Sequence, residues 1–180
     1  LIRKRQRKMI NKIFWDNDEC LVSAYQVFSE NERFDFDVGI KVENEVYNLK
    51  INPYAWKMLE FSRKLVGAEN VWMITTGTRD YAENVVNVCD FGFPSNQILA
   101  REDIYAMIDH IRFDPKFINP YKNKNNILID NLTPRHNEEK MSILGIDVGN
   151  YCKVPDYYGV ANEKFEEIIT DFLNERTRAN

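Results

Sequence analysis

Three short runs of bulky apolar residues each end abruptly on polar side chains. Lys12–Trp15 leads into Asp16 and Asp18, Val71–Thr75 ends on Thr75 and Thr76, and Ile127–Ile129 ends on Asp130 and Asn131. Runs this apolar and β-prone read as strands buried on both faces. Helical stretches separate them. One opens at Asn52-Pro53, with Asn52 as the expected N-cap and Pro53 in the first helical position. Another covers Arg79–Cys89, a third covers Glu138–Leu144 and stops at Gly145, and an amphipathic one covers Asn162–Leu173. Ile98-Leu99 and Lys153-Val154 are predicted to be further short strands. Arg101–Asn126 reads as irregular, broken by Pro115 and Pro120. Buried strands alternating with helices imply an α/β fold with a parallel, Rossmann-like sheet flanked by helices. In such sheets ligands bind beyond the carboxyl ends of the strands. The three polar strand ends are therefore expected to converge at one edge.

Between the first strand and the first helix the pattern changes. Phe34, Phe36, Val38, Ile40 and Val42 share one parity, and Val46, Tyr47 and Leu49 follow Glu43-Asn44-Glu45. This predicts a small antiparallel β insertion over about residues 30–50, turning near Asn44. The 180 residues are 44% hydrophobic and 29% charged, enough for the core of one domain spanning 1–180. No apolar run approaches the ~20 residues of a membrane span.

Charge is placed unevenly. Residues 1–12 hold six basic side chains (Arg3, Lys4, Arg5, Arg7, Lys8, Lys12) and no acidic one, which against a formal total of −4 leaves about −10 for the remainder. This segment is too basic and too poor in apolar residues to be a signal peptide. It reads as a solvated approach to the first strand, or as an electrostatic arm for nucleic acid or an acidic partner. The acidic body disfavours extensive nucleic-acid wrapping. Cys20, Cys89 and Cys152 are odd in number and widely spaced, so neither a disulfide framework nor a zinc site is expected. A reducing intracellular compartment, cytoplasm or nucleus, fits. Abundant Asn, with Lys and Ile, suits an AT-rich coding sequence such as that of a virus, a phage or some protists.

Asp16 and Asp18 stand two apart at a strand end, so an extended chain points both carboxylates the same way. Adjacent carboxylates repel unless a cation or proton offsets them. Magnesium is the hard cation for carboxylate and phosphate oxygen. Such a pair can divide into a nucleophile and an acid–base. D-x-D spacing alone reads better as a solvated turn. Asp130-Asn131, ending another buried strand, supplies a further oxygen ligand at the same edge and favours the site.

Phe14–Val22, F-W-D-N-D-E-C-L-V, resembles the nucleophile motif of the haloacid dehalogenase superfamily. Its D-x-D-E-x-L-V form is similar to the phosphatases of the RNA polymerase II C-terminal domain, the small CTD phosphatase group. In order along the chain, Val46–Phe61, Ile74–Ala82 (I-T-T-G-T-R-D-Y-A), Arg101-Glu102 and Ile127–Pro134 (I-L-I-D-N-L-T-P) resemble further segments of that group. The resemblance covers roughly residues 12–174.

It implies a Mg2+-dependent phosphatase working through an aspartyl-phosphate. Asp16 would be nucleophile and metal ligand. Asp18 would be acid and then base, its backbone carbonyl also on the metal. Thr75, with Thr76, and a lysine would hold the phosphoryl oxygens. Asn131 would complete the metal shell, with Asp130 beside it. Lys116 lies at about the expected distance after Arg101-Glu102, and Lys122 and Lys124 are alternatives in the same segment; all three are equally open to a solvated reading. Cys20, Asn52 and Gly77 stand where the group usually has Thr or Val, Arg and Ser, and the last two put substrate identity in question.

The implied substrate is phosphoserine or phosphothreonine in protein. Phe34, Phe36, Tyr47 and Tyr54 could line a peptide pocket, although aromatics in a hairpin are more often its core. The runner-up substrates are nucleotides or nucleic-acid ends, through the basic arm. A catalytically silent binding module on the same fold would have no need to keep Asp16, Asp18, Thr75 and Asn131 together.

Overall fold

A computed structural model describes residues 9–27 and 35–178. Of the basic arm only Lys12 falls among them; Arg3, Lys4, Arg5, Arg7 and Lys8 lie outside the described residues, as does Phe34. The strands in chain order are β1 (Ile13–Asp16), β2 (Val22–Val27), β3 (Val38–Val42), β4 (Glu45–Ile51), β5 (Val71–Ile74), β6 (Ile98–Leu99), β7 (Ile127–Asp130) and β8 (Tyr151–Lys153). The α-helices are α1 (Ala55–Val66), α2 (Arg79–Val88), α3 (Arg101–Phe113), α4 (Glu138–Leu144) and α5 (Lys164–Thr177).

β6-β5-β1-β7-β8 form one sheet in which every pair is parallel. Its strands are apolar on both faces because both faces are covered. Ile13, Trp15, Val71, Met73, Ile127 and Ile129 pack with Met58 and Leu59 of α1, Val85 of α2 and Ile169 of α5. The intervening Phe14, Ile74 and Leu128 pack with Ile104 and Met107 of α3 and Met141 and Leu144 of α4. The alternation of side chains along a strand thus divides one sheet between two cores.

The insertion is a second, antiparallel sheet of order β2-β4-β3. The hairpin turns at Glu43-Asn44 as expected, with Glu43 at φ 53°. Its third strand, β2, was not evident because Val22–Val27 mixes Ser, Ala, Tyr and Gln into the run. Ile40, Val42 and Leu49 bury into the same core as α2, so the insertion is seated against the body.

Two further differences have local causes. Residues 101–113 form a regular helix rather than an irregular segment: Ile104 and Met107 give it a buried face, the Asp103 carboxylate accepts from the Ala100 N–H, and both prolines lie beyond its end. α1 begins at Ala55, later than Asn52-Pro53 suggests. The Asn52 amide is spent elsewhere: Nδ2 donates to the Cys20 carbonyl (2.9 Å) and Oδ1 accepts from the Tyr54 N–H (3.1 Å). Among the described residues no helix is long and apolar enough to cross a membrane.

Candidate active site

Asp16, Thr75 and Asp130 stand at the carboxyl ends of the adjacent strands β1, β5 and β7, all three buried. Asp16 shares its parity with Phe14, and Asp130 with Leu128, so both carboxylates face the side covered by α3 and α4. There the Lys140 ammonium bridges them, 2.9 Å from Asp16 Oδ1 and 3.1 Å from Asp130 Oδ2. Lys140 is only 7% exposed. Burial alone would push its pKa down, but the Asp16 and Asp130 carboxylates outweigh this and hold it above the ordinary lysine value.

Lys140 is thus the lysine that reaches Asp16 and Asp130, while Lys116, Lys122 and Lys124 lie away from them. The reason is topological. α3 leaves the carboxyl edge after β6 and runs back across the sheet, so the 114–126 connection lies at the amino edge, where Asn11 N–H bonds the Asn125 carbonyl (3.0 Å). Lys116, Lys122 and Lys124 are all exposed there. A helix that follows β7 starts at the carboxyl edge. In α4 the buried side chains Lys140, Met141 and Leu144 share one face, and a lysine in that position needs a partner.

Asp18 is tied from several sides. Its Oδ1 accepts from Asn17 Nδ2 (3.2 Å) and the Tyr81 hydroxyl, and Thr75 Oγ1 lies 3.3 Å from Oδ2. Thr75 Oγ1 also accepts from the Gly77 N–H (3.0 Å). Burial pushes the Asp18 pKa up, against these hydrogen bonds. Burial does the same to Asp16, pushed up to about 8, with Lys140 opposing and Asp130 and Asp18 adding to it. Thr76 lines the same cleft, about 380 Å³, with Asp16, Asp18, Asn131 and Lys140.

The donor set fits a divalent cation. Among the described residues no three His, Cys, Asp or Glu side chains form a cage by themselves. Magnesium seldom uses one; it takes one or two carboxylates, with water and phosphate oxygen completing the shell. Here two carboxyl groups, Asp16 and Asp130, share the Lys140 ammonium, with Asp18 two residues on from Asp16, and a cation would favour the ionised forms of Asp16 and Asp18 against the burial that disfavours them. Asn131 is oriented to contribute oxygen: its Nδ2 donates both to Glu19 Oε2 (3.1 Å) and to Asp156 Oδ1 (3.0 Å), which leaves Oδ1 as the free end of the amide. Glu19, at φ 59°, also accepts from the Tyr158 hydroxyl (3.0 Å). The Glu19 and Asp156 contacts had no sequence signal.

A second, open groove of about 530 Å³ adjoins the cleft at Asp18 and Glu19. Tyr25, Tyr47, Tyr81, Tyr158 and Arg101 line it, between the insertion and α2. Of the four aromatics read as hairpin core with a pocket as the alternative, Tyr47 lines this groove. Tyr54 stacks on Phe165 in the core, Phe36 is half-exposed outside the groove, and Phe34 is outside the described residues.

The architecture has solved counterparts. Over 97% of its length the chain superposes on Fcp1, described as an essential RNA polymerase II CTD phosphatase, with a TM-score of 0.50 and 17% identity. It shares the fold of Fcp1. A beryllium fluoride-bound Fcp1 from fission yeast aligns over 97% of the chain (TM-score 0.49, 17% identity, 54% of that chain), and DsGPDH of Dunaliella salina over 89% (0.49, 15%, 28%). The chain spans about half of the first Fcp1 structure, 52%. At such identities the likeness is one of fold. No family model matches the chain, and no curated protein matches it in sequence.

Proposed function

We propose that this chain is a Mg2+-dependent phosphomonoester hydrolase that works through an aspartyl-phosphate on Asp16, within a single haloacid dehalogenase-like domain. The observation that carries the reading is the buried Asp16–Lys140–Asp130 bridge at the carboxyl edge, with Asp18 and Thr75 alongside. A scaffold gains little from burying an ammonium between two carboxylates beside a third. A phosphoryl-transfer site gains a fixed positive charge for the oxygens of the transferring group.

Asp16, the Asp18 carbonyl and Asn131 would hold the cation. When bound, it supplies charge neutralisation for the phosphate and keeps Asp16 ionised. Asp16 attacks phosphorus. Lys140, Thr75 and Thr76 hold the phosphoryl oxygens. Asp18 protonates the leaving oxygen, then takes a proton from the water that hydrolyses the intermediate. Its buried setting favours the protonated form, against the hydrogen bonds that favour the charged one. Asp130 anchors the assembly, with Oδ1 accepting from the Leu132 N–H (2.8 Å) and Oδ2 holding Lys140.

The substrate we favour is phosphoserine or phosphothreonine in protein. The open tyrosine-lined groove beside Asp18 would accommodate an extended chain, and Fcp1 is a CTD phosphatase. Turnover of para-nitrophenyl phosphate with Mg2+, lost in Asp16→Asn, tests the activity. A panel of phosphopeptides against 3′- and 5′-phosphorylated oligonucleotides tests the substrate class. The nucleic-acid alternative rests on residues 1–12, and a preference for oligonucleotides would favour it.

A further inference from the structure

Three side chains reach Asp18: its neighbour Asn17, Thr75 beyond β5 and Tyr81 from α2, and the last, brought in from farthest along the chain, has no role in the mechanism above. Tyr81, the third residue of α2, is 8% exposed. Its hydroxyl donates to Asp18 Oδ1, while its ring lines the groove and makes an edge-on contact with Tyr47 of β4, centroids 5.3 Å apart. Two local features bring it there. Thr78 caps α2 by accepting from the Tyr81 N–H (3.3 Å), which fixes the first turn. Gly77 leaves room for the ring: a Cβ at 77 would stand 2.6 Å from Tyr81 Cδ1.

Resting on the phosphatase reading, we propose that Tyr81 is a positioning residue for the acid–base carboxyl of Asp18, steadied by the antiparallel insertion through Tyr47. The terminal torsion of an aspartate is soft and nearly two-fold, so its two oxygens are interchangeable unless donors tell them apart. Tyr81 and Asn17 both donate to Oδ1. Oδ1 is thereby committed as an acceptor, and the proton an acid must carry belongs on Oδ2. That is the oxygen beside Thr75, whose hydroxyl can donate or accept. The acid is thus turned toward the residue that would hold the phosphoryl group. The insertion acquires a function beyond walling a groove: it holds the hydroxyl that sets the acid.

In the first half-reaction an Asp16 oxygen bonds to phosphorus, and the bond from phosphorus to the leaving oxygen breaks with its electron pair on that oxygen. Asp18 gives that oxygen its proton. In the second, water bonds to phosphorus and its proton passes to the Asp18 carboxylate. The bond to Asp16 breaks and phosphate leaves. Proton donation matters when the leaving oxygen is a poor one and hardly at all when it is a stable phenolate. A residue that only supports the fold affects both alike.

The test compares first-turnover release of the alcohol from benzyl phosphate and from para-nitrophenyl phosphate by the wild-type chain and Tyr81→Phe. That substitution keeps the ring against Tyr47 and removes one hydroxyl. The first turnover excludes the later water attack. The proposal expects release from benzyl phosphate to fall by about 10- to 100-fold, with nitrophenol release close to wild type. Equal loss on both esters, loss on neither, or a wild-type chain that releases nitrophenol but no benzyl alcohol overturns it. A wild-type chain inert to both esters sinks the phosphatase reading and the proposal with it.

Discussion

Lys140 and Asp16, 124 positions apart in the chain, meet as a buried ion pair at 2.9 Å. The same ammonium holds Asp130 at 3.1 Å, on the face of α4 that otherwise carries Met141 and Leu144. This lysine ties the tips of two neighbouring strands together, and everything proposed for the site is arranged around it.

Replacing it should therefore be costly twice over. Lys140→Met removes the charge that faces the phosphoryl oxygens, and turnover should fall by about 10²- to 10³-fold. It also leaves two buried carboxylates without their partner, a loss of about 3–5 kcal/mol in the metal-free protein. Urea unfolding and steady-state kinetics read the two effects separately. Lys116→Ala, Lys122→Ala and Lys124→Ala, at the other end of the sheet, should keep wild-type turnover.

The metal-free chain should lose stability as pH rises. Burial lifts the Asp16 carboxyl from its ordinary 3.8 to about 8, and burial lifts Asp18 in the same direction. Between these values the folded state holds a proton that the unfolded state has given up. Raising the pH through that window therefore favours unfolding. Melting in EDTA from pH 5 to pH 8.5 should show a falling midpoint. Asp16→Asn should flatten that decline and melt higher than wild type at the alkaline end. Added Mg2+ should raise the wild-type midpoint most at high pH, where Asp16 is free to ionise.

Asn131 owes its orientation to Glu19 and Asp156. Glu19→Gln replaces an obligate acceptor with a side chain that can donate as well, so of the two acceptors that fix the Asn131 amide only Asp156 stays obligate. Mg2+ affinity, read by titration calorimetry or by the Mg2+ dependence of the melting midpoint, should weaken by about 10-fold. Unchanged affinity would show that the amide needs no such clamp.

The sheet was legible because its strands are apolar on both faces, and only a doubly covered parallel sheet accommodates Ile13–Trp15, Val71–Ile74 and Ile127–Ile129 together. Asp16, Asp18, Thr75 and Asn131 could be named because a strand's end is a position in the fold as well as in the chain. Lys140 went unnamed because the family resemblance directs attention to segments ahead of Asp130, where Lys116, Lys122 and Lys124 lie. The better signal is helical register, which sets Lys140 beside Met141 and Leu144. Topology gives the same answer, since a connection entering β7 and a helix leaving it lie at opposite edges. Tyr81 on Asp18, and Glu19 on Asn131, are contacts between distant segments, 63 and 112 positions apart in the chain. No local pattern announces such pairs.

In this mechanism Asp16 itself becomes phosphorylated. Rapid acid quench of the chain with Mg2+ and para-nitrophenyl phosphate, followed by borohydride reduction and peptide mass analysis, reads this directly. A single reduced acyl-phosphate is expected at position 16, absent without Mg2+ and absent in Asp16→Asn. Phosphate release that continues with no modification at that position, or that survives Asp16→Asn, would contradict it.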